Sequence, residues 1–180
     1  MDSTIIREIS PLYSAWAPIG KQAVVPIVGG HAKRVLSGVI NLVTGTCITH
    51  VTPSFRREDF QDLLHRVRSH WRGWHIVLFV DRHGAHTAIS SRRLAKMLGI
   101  ELRWLPTACP ELNVMDTLWR NAKAEVVANE PNPDVDETVH AVIHYLEALT
   151  SRDRLRKAGI LSDDFWMADI RAARMSKDFS

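Results

Sequence analysis

Cysteine is scarce in this chain, and long hydrophobic runs are absent. Cys47 and Cys109 are the only two cysteines among 180 residues. They lie far apart and match no zinc-ligand spacing, which argues against a disulfide scaffold and a zinc finger and fits a reduced cytosolic compartment. No stretch approaches the roughly 20 apolar residues of a membrane helix, and the first residues carry no signal-peptide pattern, so no membrane partner is expected. There is no internal repeat, no low-complexity segment and no long basic tail.

What is present is an ordinary globular composition, 46% hydrophobic and 24% charged, which argues against disorder. The length suits one domain with a real core: a core over 1–130 and a helical extension over 131–180. Lys and Arg number 23 against 20 Asp and Glu, a net charge of +3. That balance permits nucleic-acid binding without requiring it.

Val and Ile concentrate in Lys21–Val28 and Arg34–Val43, with Gly29-Gly30 between them, and this predicts a hairpin. Asp2–Ile9 precedes it as a first strand, and Thr46–Val51 follows, closed by Pro53. From Ser54, a plausible N-cap, Phe60, Leu63, Leu64, Val67 and Trp71 fall at helical spacing. His75–Val80 is a nearly continuous apolar run, as in a strand buried on both faces. Ala88–Leu98 predicts a helix stopped by Gly99, and Ile100–Leu105 a strand parallel to the previous one. Helices over Val114–Ala128, ended by Pro131 and Pro133, and over Val135–Leu149 come next, followed by a mostly helical tail from Arg152. The expected fold is α/β: a mixed five-stranded sheet, an antiparallel meander plus two parallel strands, flanked by helices.

In such a sheet the site lies at the carboxyl ends of the parallel strands. Asp81 stands at one of these ends, and Asp116 lies just inside the helix after the next strand. Carboxylates from separate elements that converge on one cleft suit magnesium or manganese. A third acid would complete the set, and Asp2, near the start of the first strand, is the candidate.

Other readings stand beside these. With Asn113 as N-cap, Asp116 occupies the third helical position, where an acid meets the helix dipole favourably. Asp81, His83 and His86 form an Asp-x-His-x-x-His pattern that could suggest zinc, but no further Cys or His cluster supplies the remaining ligands. His86 fits either bracing of the site or contact with DNA. Lys123, two turns beyond Asp116, fits a phosphate contact or a solvated surface. Trp71, Trp104 and Trp119 fall in apolar patterns and fit core better than base stacking. The pairs Arg56-Arg57 and Arg92-Arg93 fit solvated faces or a DNA backbone track.

Two blocks, Val80-Asp-Arg-His-Gly-Ala-His86 and the run from Leu105 to Lys123, resemble those of mariner-like transposases and their bacterial insertion-sequence relatives. Asp81 and His86 match the first block, and Arg82 departs from its usual Asn. Leu105, Pro106, Pro110, Leu112, Asn113, Asp116, Leu118, Trp119 and Lys123 match the second, where Val114 replaces a proline. The separation of the last two acids agrees with the family. Asp2 with Trp16-Ala-Pro-Ile-Gly20 resembles the family's opening acid and following Trp and Gly, with Ser3 in place of a common Glu. Leu155–Trp166 is similar to endings in bacterial members.

The resemblance implies an RNase H-like DDE/DDD polynucleotidyl transferase domain that cleaves and joins DNA strands in cut-and-paste transposition. It implies Asp2, Asp81 and Asp116 as catalytic ligands of two Mg2+ or Mn2+ ions, and His86, Arg120 and Lys123 as DNA contacts. Its implied partners are transposon-end and target DNA, a second copy of the chain as homodimer, and a helix-turn-helix region preceding Asp2 that reads the element's ends. The implied setting is the bacterial cytosol, at the nucleoid. The alternatives are a catalytically inactive remnant or DNA-binding regulator, and a nuclease with no role in transposition.

Overall fold

The computed structural model describes residues 1–9, 11, 16–21, 24, 30–129 and 134–167. Strand β1 (Asp2–Arg7) pairs antiparallel with β2 (Lys33–Ile40), and β2 pairs antiparallel with β3 (Cys47–Thr52). Asp2 sits opposite Gly38, and Ile40 opposite Cys47. The expected strand Lys21–Val28 lies almost wholly outside the described residues. Its expected partner β2 has β1 on one edge and β3 on the other.

Helix α1 (Arg57–His70) follows β3. It begins later than Ser54, because Asp59 reaches back to accept the Arg56 backbone N–H at 2.6 Å and so sets the first turn. The apolar spacing buries Phe60, Leu63, Leu64 and Val67. Strands β4 (Ile76–Val80) and β5 (Ile100–Trp104) pair in parallel, as expected. The helical stretch between them is two pieces, α2 (Gly84–Thr87) and α3 (Ile89–Met97), broken at Ala88, whose backbone is extended (φ −52°, ψ 136°). Gly99, at φ +65°, ends α3 and turns the chain into β5.

Helix α4 (Val114–Ala122) continues into a wider π-type turn, Lys123–Val127, closed by the Ala128 N–H on the Lys123 carbonyl at 2.9 Å. Ala128 is already extended, so the helical path breaks before Pro131 and Pro133. Helices α5 (Val135–Ala148) and α6 (Ser151–Lys157) complete the chain's described elements.

The five strands form a three-stranded and a two-stranded sheet. A hydrogen bond from the Met1 nitrogen to the Phe79 carbonyl, at 3.0 Å, links the start of β1 to β4. Two cores cover the two faces. On one face Ile6, Leu36 and Ile40 pack against Leu118, Trp119, Val139, Val142 and Leu155 from α4, α5 and α6. On the other, Met1 and Val39 join Phe60, Leu63 and Val67 of α1 with Leu78, Val80 and Ile100. Each fully buried side chain of this size contributes about 1.5–3 kcal/mol. Among the described residues no helix is long and apolar enough to cross a membrane.

Candidate active site

The Leu105 N–H donates to the Val80 carbonyl at 2.8 Å, so β4 and β5 release the chain side by side. The loops that follow carry Asp81–His83 and Leu105–Asn113. Between them opens a cleft of about 420 Å³ lined by Asp2, Asp81, Arg82, His83, Cys109, Asn113 and Asp116, among others. All three expected acids therefore border one cavity, one from β1, one from the end of β4 and one from the first turn of α4. Cys109, which carried no functional signature in the sequence, also lines it.

Each carboxylate is held differently. Asp81 Oδ1 accepts the His83 backbone N–H at 3.0 Å and lies 2.6 Å from His86 Nδ1. The hydrogen bond from His86, followed by that from His83, holds the Asp81 carboxyl down to about 2. Asp2 Oδ1 accepts from Asn113 Nδ2 at 3.0 Å. Burial pushes the Asp2 carboxyl up to about 6, and the charges of Asp116 and Asp81 add to the rise. Asp116 Oδ2 pairs with Arg120 Nε at 3.3 Å, an i,i+4 pair on the exposed side of α4. Oδ2 of Asp81 and Oδ1 of Asp116 make no hydrogen bond among the described residues.

Asn113 has two roles. Its Oδ1 caps α4 by accepting the Met115 N–H at 3.3 Å, while its Nδ2 reaches Asp2. The cap was legible in the sequence; the contact with Asp2 was not, because those residues are 111 apart.

Of the three residues expected to contact DNA, His86 is 3% exposed and packs on Phe60 at a ring separation of 4.4 Å and on Phe55 at 5.3 Å. Its geometry fits bracing of Asp81 and offers no face to a duplex. Arg120 is exposed. Lys123 is half-buried, with its ammonium held below the ordinary lysine value by burial, against the opposing pull of Asp116 and Asp2. The zinc pattern does not assemble: His83 Nδ1 accepts the Ala85 N–H and His86 Nδ1 is turned to Asp81. Among the described residues no three His, Cys, Asp or Glu side chains form a ready-made cation cage. Trp119 is core at 1% exposure, and Trp71 and Trp104 are partly buried against the α1 side.

The five strands thus stand as an antiparallel sheet and a parallel pair and not as the single five-stranded sheet expected. With helices packed on them and acids from β1, the end of β4 and the start of α4 around one cleft, they define an RNase H-like catalytic fold. The chain belongs to the DDE superfamily endonuclease family, whose model matches residues 1–139. Its fold is that of the mariner-like transposase catalytic domain, as the sequence blocks implied. A Mos1 transposase paired-end complex with the left transposon end superposes with a TM-score of 0.71 at 14% identity, covering 96% of this chain and 54% of that one. A Mos1 mariner paired-end complex with Mn gives 0.68 at 14% identity over 97% and 54%. The Mos1 catalytic domain with Raltegravir and Mg gives 0.59 at 14% identity over 79% and 75%. The chain thus spans about half the length of the paired-end Mos1 chains. None of the curated proteins matches it in sequence.

Proposed function

We propose that this chain is the metal-dependent catalytic domain of a cut-and-paste transposase, cleaving DNA strands and transferring the freed ends to target DNA. The observation that carries this reading is the convergence of Asp2, Asp81 and Asp116 on one cleft at the carboxyl ends of β4 and β5.

The donor set fits Mg2+ or Mn2+, both hard cations that prefer carboxylate oxygen. Asp2 is raised because it is desolvated beside two other acids, an environment that a cation relieves. Among the described residues, one carboxylate oxygen of Asp81 and one of Asp116 accept no hydrogen bond. We assign all three as ligands of two such ions. A bound pair supplies charge stabilisation for the attacking and leaving oxygens of a phosphodiester.

The remaining work falls to the chain itself. His86 fixes the orientation of Asp81 by holding Oδ1, which leaves Oδ2 to face the cleft. Asn113 does the same for Asp2 and couples it to the start of α4. We assign Arg120 and Lys123, one and two turns beyond Asp116, as contacts to DNA phosphates, joined by Arg82, which lines the cleft. The solved Mos1 structures carry transposon-end DNA in one case and Mn or Mg in others, which supports both partner and metal. Transposition pairs two DNA ends, so the working unit is a dimer, acting in the cytosol with a DNA-reading region.

The test is Mn2+-dependent nicking of supercoiled DNA by the purified chain beside Asp81→Ala and Asp116→Ala. Nicking by the parent and loss in both variants supports the assignment. Equal nicking by all three sinks it, and no nicking by any favours the inactive remnant.

A further inference from the structure

His83 lines the acid cleft without being one of its acids or the brace behind Asp81. The turn after β4 fixes it at two points. Asp81 Oδ1 accepts its backbone N–H at 3.0 Å, and its own Nδ1 accepts the Ala85 N–H at 3.2 Å, so the imidazole caps the start of α2. A ring nitrogen that accepts a hydrogen bond carries no hydrogen. The hydrogen of this ring is therefore on Nε2, the nitrogen farther from the backbone.

Neighbouring rings hold the imidazole as well, with Phe55 at 5.2 Å and His86 at 5.7 Å between centroids. His86 is buried, but His83 is exposed, and its Nε2 has no hydrogen-bond partner among the described residues. The chain thus presents an N–H donor of fixed tautomer and restricted rotamer on the wall that also carries Arg82. An N–H opposes a cation and suits an anionic oxygen, so its partner is not a metal ion. In a cleft that receives a phosphodiester, the anionic oxygens are the non-bridging oxygens of phosphate.

We propose that His83 is a substrate-contacting residue whose Nε2–H donates to a non-bridging oxygen of the cleaved DNA strand, at the scissile phosphate or its immediate neighbour. The shared cavity sets the location: His83 borders the same space as Asp2, Asp81 and Asp116. The cap sets the direction, because holding Nδ1 leaves the opposite edge of the ring as the only one that offers a hydrogen. A donor held in place before the substrate arrives costs little further ordering on binding. Its contribution differs from that of Arg82 on the same wall. Arg82 brings charge, and its contact releases a counterion from DNA; a ring that accepts at Nδ1 is neutral and releases none. The proposal rests on the reading of the cleft as a DNA site, and not on whether DNA is cut there.

Two substitutions separate the two edges of the ring. In His83→Asn the amide oxygen replaces Nδ1 and keeps the cap, but the side chain ends short of Nε2. In His83→Gln the amide nitrogen reaches the place of Nε2 and the cap is lost. Parent, both variants and Arg82→Gln are compared at pH 8 by thermal unfolding and by anisotropy of a labelled DNA duplex, without divalent ions, over a range of salt. Mn2+-dependent nicking of supercoiled plasmid is measured beside them. His83→Asn is expected to unfold with the parent but to bind about fivefold to tenfold more weakly, with an unchanged salt slope. His83→Gln unfolds at lower temperature yet binds within about twofold of the parent. Arg82→Gln binds more weakly with a slope smaller by about one. Equal binding by the parent and His83→Asn overturns the proposal, as does binding by His83→Gln no tighter than that by His83→Asn. A slope reduced in His83→Asn as in Arg82→Gln overturns it too, because the lost contact is then a charge. A parent that binds duplex but does not nick sinks the transposase reading alone, and a parent that binds no duplex sinks both.

Discussion

Asn113 donates its Nδ2 to Asp2 at 3.0 Å while its Oδ1 caps α4 at Met115. One side chain, 8% exposed, thus joins the start of β1 to the helix that carries Asp116. Asn113→Ala removes both bonds and is expected to cost about 1–2 kcal/mol from the cap alone. Asn113→Asp keeps the cap but sets a second carboxylate against Asp2. In urea unfolding at pH 7.5, Asp is expected to be no better than Ala; at pH 4, as that local repulsion weakens, it should recover relative to Ala.

The Asp81–His86 pair predicts an acid limb of stability. Asp81 is held down to about 2 by the His86 bond, below its ordinary 3.8. A depressed folded-state pKa stabilises fully above the unfolded value and is lost as pH falls through the folded one, here between about 4 and 2. Asp81 is half exposed, so solvent screening keeps the effect small. His86→Phe retains ring packing on Phe55 and Phe60 but removes the bond. Its unfolding free energy should fall less steeply than the parent's from pH 4 to pH 2. Parallel curves would show that His86 does not set the Asp81 titration.

Strand β4 was readable from its apolar run and β5 from its alternation of Ile100, Leu102 and Trp104 with charged residues between Gly99 and Pro106, and a strand-end acid is a local signal. Asp116 was read from its place in the first turn of the helix after β5 and from the Leu105–Lys123 block, while the capping Asn113 gave it a competing structural role. What sequence could not show was longer in range or finer in geometry. The Asn113–Asp2 bond spans nearly two thirds of the chain. The start of α1 depends on Asp59 reaching Arg56, two residues past the serine that propensity favours. The break at Ala88 separates two helices within one apolar pattern.

Gly38 lies opposite Asp2, and its missing side chain makes room for α4. A Cβ there would meet Trp119 Cζ2 at 2.6 Å and Met115 Cε at 2.7 Å. Both neighbours are fully buried, so they can yield only by disturbing the core. Gly38→Ala is expected to destabilise by about 1–3 kcal/mol, with a shift in tryptophan fluorescence as Trp119 is displaced. A change below a few tenths of a kcal/mol would mean that α4 moves freely against β2.

Asp2 should weaken the fold that it equips for chemistry. Burial raises its carboxyl to about 6, above the ordinary 3.8. A raised folded-state pKa gives stability that is present below the unfolded value and lost as pH rises through the folded one, so between pH 4 and 6 the parent loses what Asp2→Asn keeps. At pH 7.5 without divalent ions, Asp2→Asn should melt higher by on the order of 2–4 °C. At pH 3.5 the two should coincide. Adding Mg2+ or Mn2+ at pH 7.5 should raise the parent's Tm and narrow or reverse the gap, because the ions offset the charge that burial penalises; Asp2→Asn should respond weakly. Equal metal response in both proteins would remove Asp2 from the ligand set and leave Asp81 and Asp116 as the pair.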